Sequence, residues 1–409
     1  MDSMRRVKLG DVARVEISGV DKKATAGETS VRLCNFTDVY KNWAITTPMY
    51  GSFMVASANE REIEKFTLHR GQVAVTKDSE TRDDIGIPTY IADSFDDVLL
   101  GYHCALITPD ESQLDGKYLN AFLHTEFIQK FFSANASGSG QRYTLSIETL
   151  NSIPLYLPSL AEQERIGSIF SSIDRKIEVN RQINDYLEAM ARQLYDYWFV
   201  QFDFPDENCR PYKSSGGKMV WNEKLKQEIP EQWGDATLQD YLTIKNGKDH
   251  KSLREGLFPV YGSGGLMRHV ESYLYEGESV LFPRKGSLNH VMYVDEAFWT
   301  VDTMFYTEMK IPNSAKYLFY SVNRIDFTGL DSGTGVPSMT STTLYSIKVR
   351  RPTYDLLKAF DETIQPWFKA IESNRRNIEE SIRLRNVLLP LLMNGQVSVK
   401  PLNNHLSHD

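Results

Sequence analysis

The sequence predicts an α+β protein: two similar globular α/β domains joined by two long antiparallel coiled-coil helices, in a pseudo-twofold arrangement. Three observations carry this reading. A weak repeat runs along the chain, each copy begins with short apolar runs, and each closes on a long heptad-spaced segment.

The repeat shows first in SGSG (137–140), which returns as SGTG (332–335). LNSIPLYLPS (150–159) then aligns with LYSIKVRRPT (344–353), placing Leu150, Ser152, Ile153 and Pro158 on Leu344, Ser346, Ile347 and Pro352. EVNR (178–181) aligns with ESNR (372–375), GQVAVT (71–76) with GESVLF (277–282), and Leu9 with Leu238. The offset falls from 229 at Leu9 through 206 at Gly71 to 194 at Leu150. Two copies of one module behave this way when the first carries longer internal loops.

QVAVT and DVLLGYHCALIT in the first copy, and SVLF and NHVMYV in the second, are apolar runs bounded by Gly, Pro, Asn or Asp, which read as strands. The expected organisation is a globular domain at 1–157, a long helix at 158–204 and a linker at 205–235. A second globular domain at 236–351, a second long helix at 352–398 and a flexible tail at 399–409 complete it.

The first helix carries a 4-3 seam: Ile166, Phe170, Ile173, Ile177, Asn180, Asn184, Leu187, Ala191, Leu194 and Trp198. At the α-helical rise it spans roughly 50 Å. The second carries Phe360, Ile364, Trp367, Ile371, Asn374, Ile378, Ile382, Arg385, Leu389 and Leu392, with one extra residue after Asn374 that predicts a local slip in register. Pro366 should kink this helix or mark the start of its long part, and Pro390 and Gly395 should end it. Two such helices can satisfy each other's seams. Run antiparallel, they bring Asn180 and Asn184 opposite Asn374, where buried asparagines set register.

Composition narrows the function. No apolar run reaches the ~20 residues of a membrane span, and the opening MDSMRRVKLG has no apolar core, so neither a membrane nor a secretory role is expected. Three dispersed cysteines suit a reducing, cytoplasmic setting. The net charge of −8 argues against a chain that wraps nucleic acid unaided. There is no GxxxxGK[ST], no HExxH and no NPPY-type tetrapeptide, and the eight histidines are scattered, so no catalytic or metal site is expected. YGSGG (261–265) reads as a turn.

Basic, amide and hydroxyl residues gather instead at predicted turns, and those side-chain types pair with phosphates and base edges. The candidate DNA contacts in the first copy are Arg32, Asn35, Lys41, Asn42, Lys77, Arg82, Ser139, Gln141 and Arg142. In the second they are Lys248, His250, Tyr261, Ser263, Arg268, Arg284, Lys285, Ser287, Asn289, His290, Thr334 and Ser338. PRKGSLNH (283–290) is the most heavily loaded of these segments.

The ordered set LPSLAEQERI, WF, FDFP, SSGGKM, IPEQW, YGSGG, PRKGS, VDTMF and LRNVLLPLLMNGQV resembles the specificity subunit of type I restriction–modification systems over nearly the whole chain. One departure is that PTYDLLKAFDETIQP stands in the second copy where the first has LPSLAEQERI. The resemblance implies a non-catalytic subunit whose two target-recognition domains each read half of an asymmetric bipartite site in double-stranded DNA. It implies a helix pair that sets the spacer and docks two methyltransferase (modification) subunits. Those would carry S-adenosylmethionine and methylate adenine, this chain holding no cofactor, and restriction subunits would complete a nuclease. The competing reading is a structural or adaptor coiled-coil protein whose globular ends bind proteins.

Overall fold

A computed structural model describes residues 4–140, 142–330 and 338–397. It divides into two units, Met1–Gln182 with Asn374–Asp409 and Ile183–Ser373, so each unit holds one globular part and a portion of both long helices.

The first unit is built on a five-stranded sheet in the order Ala13–Ile17, Cys104–Pro109, Val73–Thr76, Pro88–Ile91, Ala44–Ile45. All neighbours are antiparallel except the last pair. Its central strands are apolar on both faces because both faces are covered. Val73, Val75, Ala105 and Ile107 enter one core with the helix Gly116–Leu123, while Ala74, Cys104 and Leu106 enter a second core on the other side. That second core lies under the sheet Met54–Ala58, Thr29–Cys34, Val98–Leu100. DVLLGYHCALIT is thus two strands in two sheets, broken where His103 takes φ 73°.

The second unit repeats the plan. Its sheet runs Leu242–Asn246, Met304–Met309, Tyr275–Pro283, Met292–Thr300, Phe258–Gly262, and the pairings again are antiparallel until the last, which is parallel. A sixth strand, Gly265–Val270, is added at the edge. Val280, Phe282 and Phe305 face one core and Leu281 and Met304 another, the same alternation as in the first unit.

The ends of the repeat also coincide in detail. Leu9 N donates to Ile153 O (2.9 Å), and Leu238 N donates to Ile347 O (3.0 Å). Short helices Ile147–Asn151 and Ser341–Tyr345 are N-capped by Ser146 and Thr340. Each leads to a strand, Pro154–Leu157 or Lys348–Arg351, paired with Arg5–Lys8 or Gly234–Thr237. The long helices Leu160–Tyr195 and Tyr354–Met393 follow.

In the first unit Ile166 and Phe170 share a core with Leu392 and Met393, so the start of one helix lies beside the end of the other. In the second unit Ala191, Tyr195 and Trp198 pack with Leu356, Phe360 and Ile364. Both portions are therefore antiparallel. The first seam is as its spacing predicts, with Ile166, Phe170, Ile177, Asn184, Ala191 and Trp198 buried. The second differs in three ways. Ser381 is the buried residue and Ile382 is half-exposed, so the 4-3 rhythm continues through Ser381, Arg385, Leu388 and Leu392 with no slip. Ser381 is tolerated there because its hydroxyl donates to Asn377 O (2.7 Å). Pro366 neither starts the helix nor interrupts it: its ring is exposed, and the carbonyl it leaves unpaired belongs to exposed Glu362. Pro390 lies within the last turns, and Gly395 (φ 66°) alone closes the helix, with Gly395 N to Leu392 O at 3.2 Å and Gln396 N to Leu391 O at 3.0 Å.

The asparagines are unequal. Asn184 is buried and its Nδ2 donates to Ile371 O (3.5 Å), whereas Asn180 Nδ2 is buried with no hydrogen-bond partner among the described residues. Each unit anchors its sheet-covering helix differently. In the first, Gly167 permits close approach, since a Cβ there would stand 2.8 Å from Lys117 Cβ. In the second, buried Lys316 donates to Glu278 (2.5 Å) and Asp361 (2.7 Å).

Candidate nucleic-acid interface

In both units the segment following SG-x-G returns to the end of the same central strand. In the first, Ser137–Ser139 and Arg142–Thr144 form a hairpin that pairs onto Asp78–Ser79, and Leu145 N donates to Lys77 O (2.8 Å). In the second, Met339 N donates to Arg284 O (2.9 Å), and Ser338 bridges Lys285. A third segment completes each place: Lys77 N donates to His103 O (2.9 Å), and Arg284 N to Thr303 O (2.8 Å). Gly138 (φ 142°) is required in the first hairpin, because a Cβ there would lie 2.1 Å from Arg142 O.

The first unit gathers charge around Asp78. Its Oδ2 accepts from Lys77 Nζ (2.9 Å), His103 Nδ1 (2.5 Å) and Arg142 Nη2 (3.3 Å). Burial alone would raise this carboxyl. Hydrogen bonds from Thr144, His103 and Lys77, with the Lys77 charge, outweigh burial and hold it at about 2. It is therefore ionised throughout the neutral range and orients Arg142, whose side chain is 56 % exposed. The Tyr102 ring lies tilted at 54° against His103, 3.6 Å between centroids, and Arg82 lies over the Tyr143 ring at 5.1 Å. Arg142, Arg82 and Tyr102 are exposed here, Arg142 held from below by the Asp78 carboxylate, an arrangement suited to phosphate and base contacts.

In the second unit the turn between Phe258–Gly262 and Gly265–Val270 lies against residues 284–290. His290 Nδ1 donates to Ser263 O (2.7 Å), and a Cβ on Gly286 would stand 3.2 Å from Ser263 Oγ. Arg284, Lys285, Ser287, Asn289 and His290 are exposed here. Asn289 ties the loop down, donating to Asp326 (3.0 Å) and accepting from Phe327 N (2.7 Å).

Several other nominated residues have internal tasks. The stretch 32–42 is not a turn but a strand end and the helix Phe36–Lys41. Arg32 donates to Phe53 O (3.1 Å) and covers Tyr50, Asn35 is a buried helix cap, and Asn42 donates to Asp38 O (2.8 Å). Lys41 is exposed at the end of that helix. Arg268 donates to His250 O (2.6 Å) and Leu253 O (2.8 Å), and Tyr261 donates to Glu296 (2.7 Å). Lys248 is exposed, its carbonyl accepting from Trp299 Nε1 (2.9 Å). Ser139 lies in the first hairpin, and Gln141, Thr334 and the tail 399–409 lie outside the described residues. Asp78, Tyr102, His103 and Tyr143 were missed by sequence reasoning. For Tyr102 and His103 the local signal was the polar GYH inside an otherwise apolar run, whereas Asp78 and Tyr143 lie in the polar turn segments TKDSETRDD (76–84) and GSGQRYT (138–144).

Among the described residues no cluster of His, Cys, Asp or Glu could hold a metal ion, and no helix is long and apolar enough to cross a membrane. The model of the type I restriction modification DNA specificity domain matches residues 1–189 and 230–380, one stretch on each copy of the repeat. The chain belongs to that family. It is a DNA sequence-specificity subunit of the type I restriction–modification kind, a recognition component and not a catalytic one. Members of this kind bind DNA and assemble with other subunits of a restriction–modification complex. Over 313 residues it is 25% identical to the MjaIX specificity subunit of Methanocaldococcus jannaschii, covering 70% of each chain. Over 396 residues it is 20% identical to the HindI specificity subunit of Haemophilus influenzae, covering 78% of this chain and 85% of that one. Its fold is similar to the crystal structure of the S subunit from M. genitalium, with TM-score 0.61, 17% identity, and 96% and 97% of the two chains covered.

Proposed function

We propose that each unit of this specificity subunit reads one half of an asymmetric, bipartite site in double-stranded DNA. The observation that carries this is the shared frame with unlike contents. The returning segment is held by the same backbone bond at Lys77 and Arg284, yet one site presents Arg142, His103 and Tyr102 and the other Arg284, Lys285 and His290. Equivalent mounts with different side chains suit two different half-sites. Of the DNA contacts nominated from the sequence, those that lie at these mounts are proposed to meet DNA, Arg142, Arg284 and Lys285 foremost. The recognition domains are proposed to be 1–157 and 236–351.

The long helices, 158–204 and 352–398, act in this reading as the spacer between half-sites and as the dock for two methyltransferase subunits. Those subunits carry S-adenosylmethionine and methylate adenine in the cytoplasm, and restriction subunits complete the nuclease. Helices of 36 and 40 residues span about 54 and about 60 Å, long enough for half-sites one duplex turn apart at ~34–36 Å. With a net charge of −8 the chain alone should bind DNA weakly, its partners supplying most of the phosphate neutralisation.

The test is methylome sequencing. Removing one heptad from each long helix shortens the pair by about 10 Å, so the spacer should contract by about three base pairs. Both half-sites should be unchanged. A changed half-site with the old spacer would refute the spacer role of the helices, and unaltered methylation in cells lacking the chain would refute the recognition role.

A further inference from the structure

The sheet of the second unit reproduces the five strands of the first and then adds Gly265–Val270, which among the described residues has no counterpart at that edge. With Phe258–Gly262 it makes a two-stranded ribbon whose register shifts between Val260 and Tyr261, Tyr261 facing Leu266 and Val260 facing Arg268. Met267 is the extra residue of this bulge. At the tip Leu266 is 46% exposed and Met267 57% exposed. Met267 is seated over Gly262, where a Cβ would stand 2.6 Å from its Sδ. Two adjacent apolar side chains held out at a glycine-built tip have no role in the core.

Their surroundings are cationic on both sides. Arg268 lashes the ribbon to residues 248–254 through the His250 and Leu253 carbonyls, and that segment exposes Lys248, Lys251 and Arg254. Its single carboxylate, Asp249, accepts from Lys251 N (3.0 Å). On the other side His290 lashes the tip to residues 284–290, which expose Arg284 and Lys285 and contain no carboxylate. An apolar tip between two cationic flanks complements a groove with phosphates on each side and methyl groups on its floor. The major groove admits a two-stranded ribbon and displays the thymine 5-methyl, against which apolar side chains pack.

We propose that the ribbon 258–270 is the major-groove reader of the second unit, and that Leu266 and Met267 select thymine by its 5-methyl group. This rests on the DNA-reading function proposed above. The experiment uses the full chain with its methyltransferase subunits and duplexes carrying the methylome-defined site, at fixed salt. Thymines of the second half-site are replaced singly by deoxyuridine, which lacks only the methyl. The wild-type complex should lose about fourfold in affinity at one or two positions, the worth of one buried methyl. A complex with Leu266→Ala and Met267→Ala should bind thymine and uracil duplexes equally, and keep its response to changes in the first half-site. Indifference of the wild type to every replacement, a double variant that retains the full uracil penalty, or a second half-site with no A·T pair would each overturn the proposal. Failure of the wild-type complex to prefer its own site would instead overturn the DNA-reading function.

Discussion

Lys316 offers the sharpest test of how the second recognition unit is held to its helix. The side chain is 1% exposed, with Nζ 2.5 Å from Glu278 Oε1 and 2.7 Å from Asp361 Oδ1. The Tyr293 and Phe368 rings lie 5.2 and 5.8 Å from it. Replacing it with Met keeps the apolar stem and leaves two carboxylates within about 5 Å of each other. At an effective dielectric near 20 their repulsion is about 3 kcal/mol, and their partial exposure trims this to about 2–3 kcal/mol. Breaking a buried pair from one side usually falls in this range or above. For a unit of this size the loss should lower Tm by roughly 4–12 °C at pH 7.5. Asp295, raised by burial and then by the Glu278 charge, adds to the crowding. A carboxyl raised in the folded state favours folding below its unfolded pKa and loses that advantage as pH rises through the folded one. The penalty of Lys316→Met should therefore shrink as pH falls toward 4. Adding Glu278→Gln should recover most of it. Calorimetry of the four combinations of these two changes at pH 7.5 and 4.5 decides the matter. A Tm within 1 °C of wild type at pH 7.5, or no recovery from Glu278→Gln, would refute the reasoning.

Asn180→Leu should stabilise the first unit by about 1–2 kcal/mol, because Nδ2 is buried with no partner among the described residues; a lower denaturation midpoint would contradict this. Asp174 is pushed up to about 6, chiefly by burial and against the pull of Arg385. Its ionisation opposes folding as pH rises from about 4 to about 6, so Asp174→Asn should add about 2 kcal/mol at pH 7.5 and nothing at pH 4. Equal gains at both pH values, measured by chemical denaturation, would exclude that account. Gly138→Ala forces a Cβ to 2.1 Å from Arg142 O at φ 142°, so it should abolish recognition of the first half-site while moving Tm by less than about 2 °C. Methylome sequencing beside calorimetry reads both, and an intact first half-site would show that the hairpin does not touch DNA.

Much of the frame was legible because it is locally encoded. The heptad seam of the first helix needs only a period of 3.5 residues, and its buried positions follow from that alone. The second seam was misread at Ile382 because apolar character outweighed position: Ser381 is buried by the register carried forward from Asn374, and meets its polar need within its own helix. The Pro366 misreading has a similar origin, since a proline's effect depends on whether the orphaned carbonyl faces water. The interface was legible only as segments. That PRKGSLNH and YGSGG meet required the His290 bond to Ser263, and that Arg142 is aimed required Asp78, 64 positions away.

By itself, the sequence determined that there are two copies of one module, that each ends in a long amphipathic helix, and that basic loops gather in both. These are matters of period and composition, which neighbouring residues dictate. Tertiary structure alone decided which loops share a site and which arginines are consumed internally, as Arg32 and Arg268 are. It also decided that the second unit carries an extra edge strand where, among the described residues, the first has none. Such outcomes depend on hydrogen bonds between residues tens of positions apart. The sheet order selects those bonds, and no local pattern in the chain records it.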